Sequence, residues 1–367
     1  MRYRIRHLTS YEYAKPVFES FNEVRLQPLA CATQTLLDFD LVIQPPATVI
    51  AFRDYYGNAV HDFGVPYLHE RLVIEATSDV VTHASEDEPI GGPAAGEGDL
   101  SVLLAALRGD AQLDDEFAEF LGPSSYIVLS DGSAELAADL RADDPDASAL
   151  AFLFRAVDHV RSSLEYRLGT TTVNSSVAEV LAGGSGVCQD FAHVLISLCR
   201  NVGLPARYVS GYLGGVESST ASHAWAEAYV PPYGWVGVDA TLGTRCTGRH
   251  VIVGIGRDYA DVAVLSGTYQ GGGQATLDVQ VTCDTLGGSD AMAQLRGGSA
   301  PIARLVAIQN LGAMRQFQRG TVMTHAMGGV TQTLPLDAMP PPREQPSNAN
   351  DVPTEQPRQQ QQTSASR

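Results

Sequence analysis

Three residues in the order Cys, His, Asp carry the chemistry that this chain offers. Cys188 follows Gly183-Gly184-Ser185-Gly186 and opens the run CQDFAHVLISLCRNV, whose apolar residues recur at helical spacing. A thiol at a helix N-terminus lies among unpaired amides at the positive end of the helix dipole, which favours thiolate, the nucleophilic form. The glycines let a substrate backbone approach, and the Cys188 amide is a natural oxyanion donor. A buried structural cysteine is the commoner fate of such a residue, so the assignment depends on a base supplied from elsewhere.

His193 is on the same helix but five residues on, rotated by ~140° from Cys188, so it points away. Cys199 lies ~16 Å along the axis, too far for a disulfide or a shared metal. His223 is better placed. In Ser222-His223-Ala224-Trp225-Ala226-Glu227-Ala228-Tyr229-Val230, period-two alternation puts His223, Trp225, Glu227 and Tyr229 on one strand face, expected to look onto a cleft, and the alanines on the other. Pro231, Pro232 and Gly234 mark a turn into Trp235-Val236-Gly237-Val238-Asp239. If Tyr229 faces Trp235 across this hairpin, Asp239 comes opposite Trp225, with His223 its diagonal neighbour, a gap of ~7–8 Å that an imidazole and a carboxylate can close. Asp239 then orients His223 toward the thiol. Gly186, Gln189, Asp190, Ser222, Trp225, Glu227 and Trp235 are the residues expected around this triad, although an acidic Asp190 in a first helical turn is stabilising in any case.

The stretches GVCQDFAHVLISLCRNVGLPARYVSGYL, SHAWAEAYVPPYGWVGVDAT and GRDYADVAVLSGTYQGGG, with the opening RHLTSYEYAKPVFESFNEVRLQP, resemble the bacterial transglutaminase-like family. The resemblance covers about 1–283 and implies a papain-like α+β core, in which the Cys-bearing helix packs on an antiparallel sheet, with Cys188, His223 and Asp239 as catalytic triad. It implies attack on a carboxamide or peptide carbonyl through a thioester, in a protein or peptide substrate. Animal transglutaminases hold the oxyanion with a tryptophan upstream of the nucleophile, whereas Trp225 and Trp235 both follow Cys188. They leave one candidate wall for an acceptor tunnel, so hydrolysis is expected to outpace transfer to an amine. No carboxylate cluster has calcium-loop spacing, and no metal or other cofactor is expected. Three rivals are a protein-glutamine gamma-glutamyltransferase, a non-catalytic binding module on the same fold, and a metalloenzyme with Cys188, His223 and Asp239 as ligands. The module reading is weakened by retention of all three residues, the metal reading by the lack of a fourth ligand at usual spacing.

The elements that must position these residues follow from patterning. Residues 1–83 carry apolar runs at strand spacing (YRIRHL, LDFDLVI, TVIAF, ERLVIEATSDVV) and read as a small antiparallel β domain. The Gly/Pro-rich acidic stretch 84–99 is a linker. From 100 to 183 the pattern is helical, in SVLLAALRGD, DDEFAEFLG, ASALAFLFRAVDHVRSSL and the serine-opened SSVAEVLA, followed by the Cys188 helix with Gly203 at its C-cap. ARYVSGYL, HAWAEAYV, GWVGVDA, HVIVGIG and TLDVQVTC read as strands, making 100–283 an α+β catalytic core. Within it, Gly256-Arg257-Asp258-Tyr259 and Asp261 read as a structural tie. Residues 284–337 form an extension with PIARLVAIQNLGAMRQF as a candidate helix, and the Pro/Gln/Ser-rich 338–367 is expected to be disordered.

The 367 residues carry a net charge of −18, with 24 Lys plus Arg against 42 Asp plus Glu, which argues against nucleic-acid and anionic-membrane partners. Five cysteines without CxxC spacing give neither a disulfide framework nor a zinc site, and the N-terminus lacks the apolar run of a secretory signal. A cytoplasmic location with reduced thiols is expected, and the oligomeric state is left open.

Overall fold

The computed structural model describes residues 1–84, 99–215 and 222–286, with the short segments 306–307, 321–325 and 331–335. Alternating apolar residues build β1 (Arg2–Val24), β2 (Gln34–Gln44), β3 (Val49–Arg53), β4 (Ala59–Val65) and β5 (His69–Thr82) into an antiparallel sheet. The register of β1 against β5 shifts between Glu12 and Val17, so β1 serves different neighbours along its length. Its first half pairs with β5 and its second half with β4.

Helices follow: α1 (Leu100–Gly109), α2 (Ala111–Leu121), α3 (Asp131–Ala142), α4 (Ala149–Ser163), α5 (Val177–Gly183) and α6 (Cys188–Val202). Serines open three of them. Ser130, Ser148 and Ser176 each accept a first-turn backbone N–H, and Glu179 returns the bond to Ser176 in a capping box. Helix α3 has little apolar character in its acidic sequence; it forms because Ser133, Ala137 and Leu140, at helical spacing, are buried. Gly203 at φ +88° ends α6 in the left-handed conformation that glycine accepts without strain. Between α4 and α6, the two-residue strands β6 (Glu165–Tyr166) and β7 (Ser185–Gly186) pair in parallel.

The second sheet contains β8 (Ala206–Leu213), β9 (His223–Val230), β10 (Gly234–Asp239), β11 (Thr244–Arg245) and β12 (His250–Gly256), in the order β11-β10-β9-β8-β12. Small residues Ala224, Ala226 and Ala228 let α6 lie close against β9, within a core that also takes in α4 and the inner face of the N-terminal sheet.

Strands β13 (Leu265–Gly271) and β14 (Ala275–Thr285) depart from the expected organisation, because both pair with β1 in the N-terminal sheet. TLDVQVTC is therefore a strand of the other sheet, and the chain boundary at 83 does not separate the two. The reason lies at the free edge of β12. Two buried carboxamides from the N-terminal region occupy it: Gln34 Nε2 donates to the Ile252 carbonyl at 2.8 Å while Oε1 accepts the Ile252 N–H at 2.8 Å. Asn58 does the same for Ile255, again with both bonds at 2.8 Å. A register shift between Ile252 and Gly254 resets the strand's alternation, so that the backbone N–H and C=O of Ile252 and of Ile255 both point to the edge while Ile252 stays buried. With that edge taken, β14 buries Val279, Val281 and Cys283 beside Tyr3 and Ile5, against Tyr212, Val251 and Val253 of the second sheet.

Of the expected C-terminal helix, only Val306–Ala307 is described, as β15, which pairs with β3. Strands β16 (Thr321–His325) and β17 (Thr331–Pro335) form a hairpin beside β13. The linker core at 85–98 and the tail at 338–367 lie outside the described residues. Among the described residues, no helix is long and apolar enough to cross a membrane.

Candidate active site

The first turn of α6 is set by residues behind it. Asp190 Oδ2 accepts the Val187 N–H at 2.8 Å and the Thr171 hydroxyl at 2.6 Å, fixing the chain where Cys188 enters the helix. Burial pushes the Asp190 carboxyl up. Gly186 is required here, since a Cβ would stand 2.7 Å from Asp190 Cβ and Oδ2. Gln189 is buried, its Nε2 donating to the Val173 carbonyl at 3.3 Å. These three residues hold the loop and helix that present the thiol.

The hairpin register is the expected one, with Trp235 opposite Tyr229 and Val238 opposite Ala226. It brings His223 Nε2 to 2.6 Å from Asp239 Oδ2. Cys188 is the second side-chain hydrogen-bond partner of His223, from the helix side. With Nε2–H directed at the carboxylate, Nδ1 is the nitrogen left for the thiol. Burial alone would lower the His223 imidazolium, but its bonds to Asp239 and Cys188 raise it to about 10.

Asp239 does two tasks at the end of β10. Its Oδ1 forms the turn, accepting the N–H groups of Thr241 at 2.9 Å and Leu242 at 3.1 Å. Its Oδ2 faces two imidazoles, because His250 Nε2 also approaches it, at 3.3 Å. Burial works against the charge, yet the bonds from His223 and His250 hold the carboxyl well below the ordinary range. Arg161 donates to the Thr241 carbonyl and closes the loop from outside.

His250 is the residue that sequence reasoning passed over. It opens the apolar strand HVIVGIG, and nothing local marks it. His223, Asp239 and His250 offer donor atoms within 4.8 Å of one another, a grouping a cation could be imagined to occupy. The donor set does not fit one. His250 Nδ1 accepts the Thr247 N–H at 3.0 Å, so the ring proton is on Nε2, which has no lone pair to offer.

The outer residues fare differently from expectation. The face of β9 that carries His223 is covered rather than open. Trp225 is 1% exposed and packs with Leu29, Val209 and Ile252, its ring edge-on to His250 at 5.2 Å. Gly211 makes room for it, since a Cβ there would meet Trp225 at 2.5 Å. Glu227 is buried in an ion pair with Arg207 at 2.6 Å, and that guanidinium lies 4.1 Å over the Trp235 ring. Trp235 is packed among Phe117, Phe120 and Tyr229 at the far end of the hairpin, about 20 Å along the strand from His223. Trp225 lies beside His223, with ring centroids 6.2 Å apart, but is fully covered, and Trp235 is at the other end of the hairpin. Ser222 is buried beside His223, and its Oγ makes no hydrogen bond among the described residues.

Tyr166 instead stands near the thiol. Paired with Gly186 in β6, it is half exposed, and its phenol is pushed up to about 12 by burial and by the neighbouring charges of Cys188, Asp190 and Asp239. Farther along α6, His193 Nε2 accepts the Tyr259 N–H at 3.2 Å. The GRDY segment is a tie, with Arg257 paired to Asp261 at 2.8 Å and Asp258 accepting the Tyr126 N–H at 2.7 Å.

The profile of the transglutaminase-like superfamily matches residues 134–240, and that of the bacterial transglutaminase-like N-terminal region matches residues 3–81. An uncharacterized protein of Mycobacterium leprae is 34% identical over 287 residues, covering 76% of this chain and 97% of its own length. A protein-glutamine gamma-glutamyltransferase of Pseudomonas aeruginosa is 36% identical over 66 residues, 16% of this chain and 10% of that protein. Among solved structures, a Cytophaga hutchinsonii protein assigned provisionally as a cysteine protease superposes with a TM-score of 0.59 at 25% identity, over 77% of this chain and 90% of that one. Two family profiles in the right order, and a relative matched over nearly its whole length, agree with the Cys-helix-on-sheet architecture: the chain is a member of the bacterial transglutaminase-like family.

Proposed function

We propose that the protein is a cysteine hydrolase of peptide or side-chain carboxamide bonds, with Cys188 as nucleophile, His223 as acid and base, and Asp239 as the group that orients and charges His223. The observation that carries this reading is the 2.6 Å bond between His223 and Asp239 on a ring whose other side-chain partner is Cys188. Sγ bonds the carbonyl carbon while its proton is held by His223 Nδ1, on a ring whose partners favour the protonated form. The Cys188 backbone N–H, at the first turn of α6, faces the oxygen that becomes negative. Collapse breaks the C–N bond, with the His223 proton going to the departing amine or ammonia, and leaves a thioester. Water then gives a proton to His223 and attacks that thioester, releasing the acid and returning the proton to Sγ.

Water is favoured as acceptor because neither tryptophan offers an open wall for an acceptor channel: Trp225 is covered beneath His223 and His250, and Trp235 packs under Arg207 at the other end of the hairpin. Transfer to an amine is the second reading, supported by the activity for which the Pseudomonas relative is named. A glutamine peptide incubated with the enzyme and millimolar primary amine separates them. Free acid should exceed amide adduct at equal ammonia release, and the signal should vanish in Cys188→Ala. Adduct in excess makes the protein a transamidase. Failure of both glutamine and peptide substrates to react would leave a binding module.

A further inference from the structure

The carboxylate of Asp239 is shared in an uneven way. Its Oδ1 is committed to two turn amides, and its Oδ2 accepts from His223 at 2.6 Å and from His250 at 3.3 Å. His250 cannot turn away. It is 3% exposed, its Nδ1 is bound to the Thr247 N–H at 3.0 Å, and the Trp225 ring abuts it. Nothing in an ordinary Cys-His-Asp relay calls for a second imidazole on the same oxygen.

We propose that His250 is a positioning residue for the acyl-transfer site, its Nε2–H dividing the charge of Asp239 Oδ2 so that Asp239 does not hold the His223 proton too firmly to be released. The inference rests on the proposed roles of Cys188 and His223. An anion's charge is spread over the donors it meets, and removing one donor strengthens the bond to the rest. Without His250, Asp239 would concentrate on His223, and a more strongly held proton makes a poorer acid toward the leaving amine. The same Nε2–H also blocks rotation of the carboxylate, since both oxygens are tied.

The titratable groups facing the His223–Asp239 pair are Cys188 and Asp190 on α6, Tyr166 on β6, Cys246 after β11, and His250 itself. Glu227 and Arg245 stand behind Cys246, and Arg161 closes the Asp239 loop. His250 differs from Tyr166 and Cys246 in reaching Asp239 through a hydrogen bond rather than as a neighbouring charge.

The test measures the rate of Cys188 alkylation by iodoacetamide against pH in the full chain, for wild type, His250→Phe and His250→Gln. Removing the donor should move the alkaline step, where His223 gives up its proton, upward by about one pH unit, a tenfold gain in proton affinity. Turnover on a peptide substrate should fall by about tenfold in the same variant, and Gln, which keeps an N–H, should restore both to within about threefold. If both variants keep the wild-type profile while the melting temperature falls, His250 only fills space beside Trp225 and the proposal is wrong. A ¹⁵N spectrum of wild-type His250 provides an independent arm that needs no variant to fold. Its Nδ1 should appear as the acceptor of the Thr247 N–H, and a proton on Nδ1 overturns the assignment. Absence of peptide turnover in wild type would count against the enzymatic reading, whereas the alkylation and ¹⁵N results would still decide the role of His250.

Discussion

Helix α6 presents one cysteine, Cys188, to a histidine of β9 and carries a second cysteine and a histidine of its own farther along, and the two sets have opposite characters. Cys188 and His223 meet at the N-terminus, where Asp239 supplies charge and His223 is raised to about 10 despite its burial. Deeper in the core, burial pushes His193 down to about 3 and Cys199 up to about 12, with Arg200 as the neighbouring charge. His193 sits between the Tyr126 and Tyr208 rings and accepts one backbone N–H; among the described residues no carboxylate partners it. Residue type and burial are alike in the two places. The difference is a carboxylate held by four donors, which raises one imidazole while burial lowers the other.

The strongest way to break this comparison is to exchange the roles of the two thiols. Cys188→Ala should cut turnover by about a thousandfold or more, whereas Cys199→Ala should leave it within about twofold and cost about 1–2 kcal/mol in a urea melt. Loss of activity in the Cys199 variant, or retention in the Cys188 variant, would reverse the assignment. Asp239→Asn should lower turnover by about 10²–10⁴-fold with the circular dichroism spectrum unchanged, because Asn still accepts the turn amides but loses the charge. Asp239→Glu should recover part of the rate. A wild-type rate in the Asn variant would mean that His223 draws its character from elsewhere.

The smallest effect is a difference in sign. His193 binds its proton at about 3 in the fold and near 6.5 when unfolded, so stability is lost as pH falls from 6.5 toward 3, by about 2 kcal/mol at pH 5. His223 is raised, so its contribution is complete below 6.5 and is lost as pH rises from 6.5 to 10. Urea midpoints across pH should therefore flatten on the acid side in His193→Phe and on the alkaline side in Asp239→Asn. A residual acid slope from His61, pushed down to about 4 by burial, should persist in the first variant. Identical slopes in all three proteins would erase the contrast.

The juxtaposition of Cys188, His223 and Asp239 was legible because these residues combine distinctive types with short-range order. A glycine-rich approach before Cys188, alternation around His223 and a Pro-Pro turn before Asp239 suffice to pair them, and the hairpin register agrees. Alternation assigns faces, however, and does not say what covers them. Trp225 was expected at a cleft, but Leu29 and Ile252 close over it from segments far apart in sequence. His250 was invisible for a related reason: its meaning comes from β12 lying beside β8 in the sheet and from a turn N–H at Thr247 that donates to its Nδ1, neither of which leaves a local pattern. β14 alternates as any strand does, and only the prior claim on the β12 edge sends it to β1.

That claim has a consequence for how the molecule keeps to itself. An edge strand of bare N–H and C=O groups is a template on which another chain can add. Gln34 and Asn58 satisfy it at two points with side chains too short to continue a ladder, and Leu29 N–H adds a third bond to Ile252. A core cut free at residue 84 would carry its intact Cys188 and His223 together with an open strand next to them. Such a core is expected to self-associate along β12, the edge that Gln34 and Asn58 cover in the whole chain.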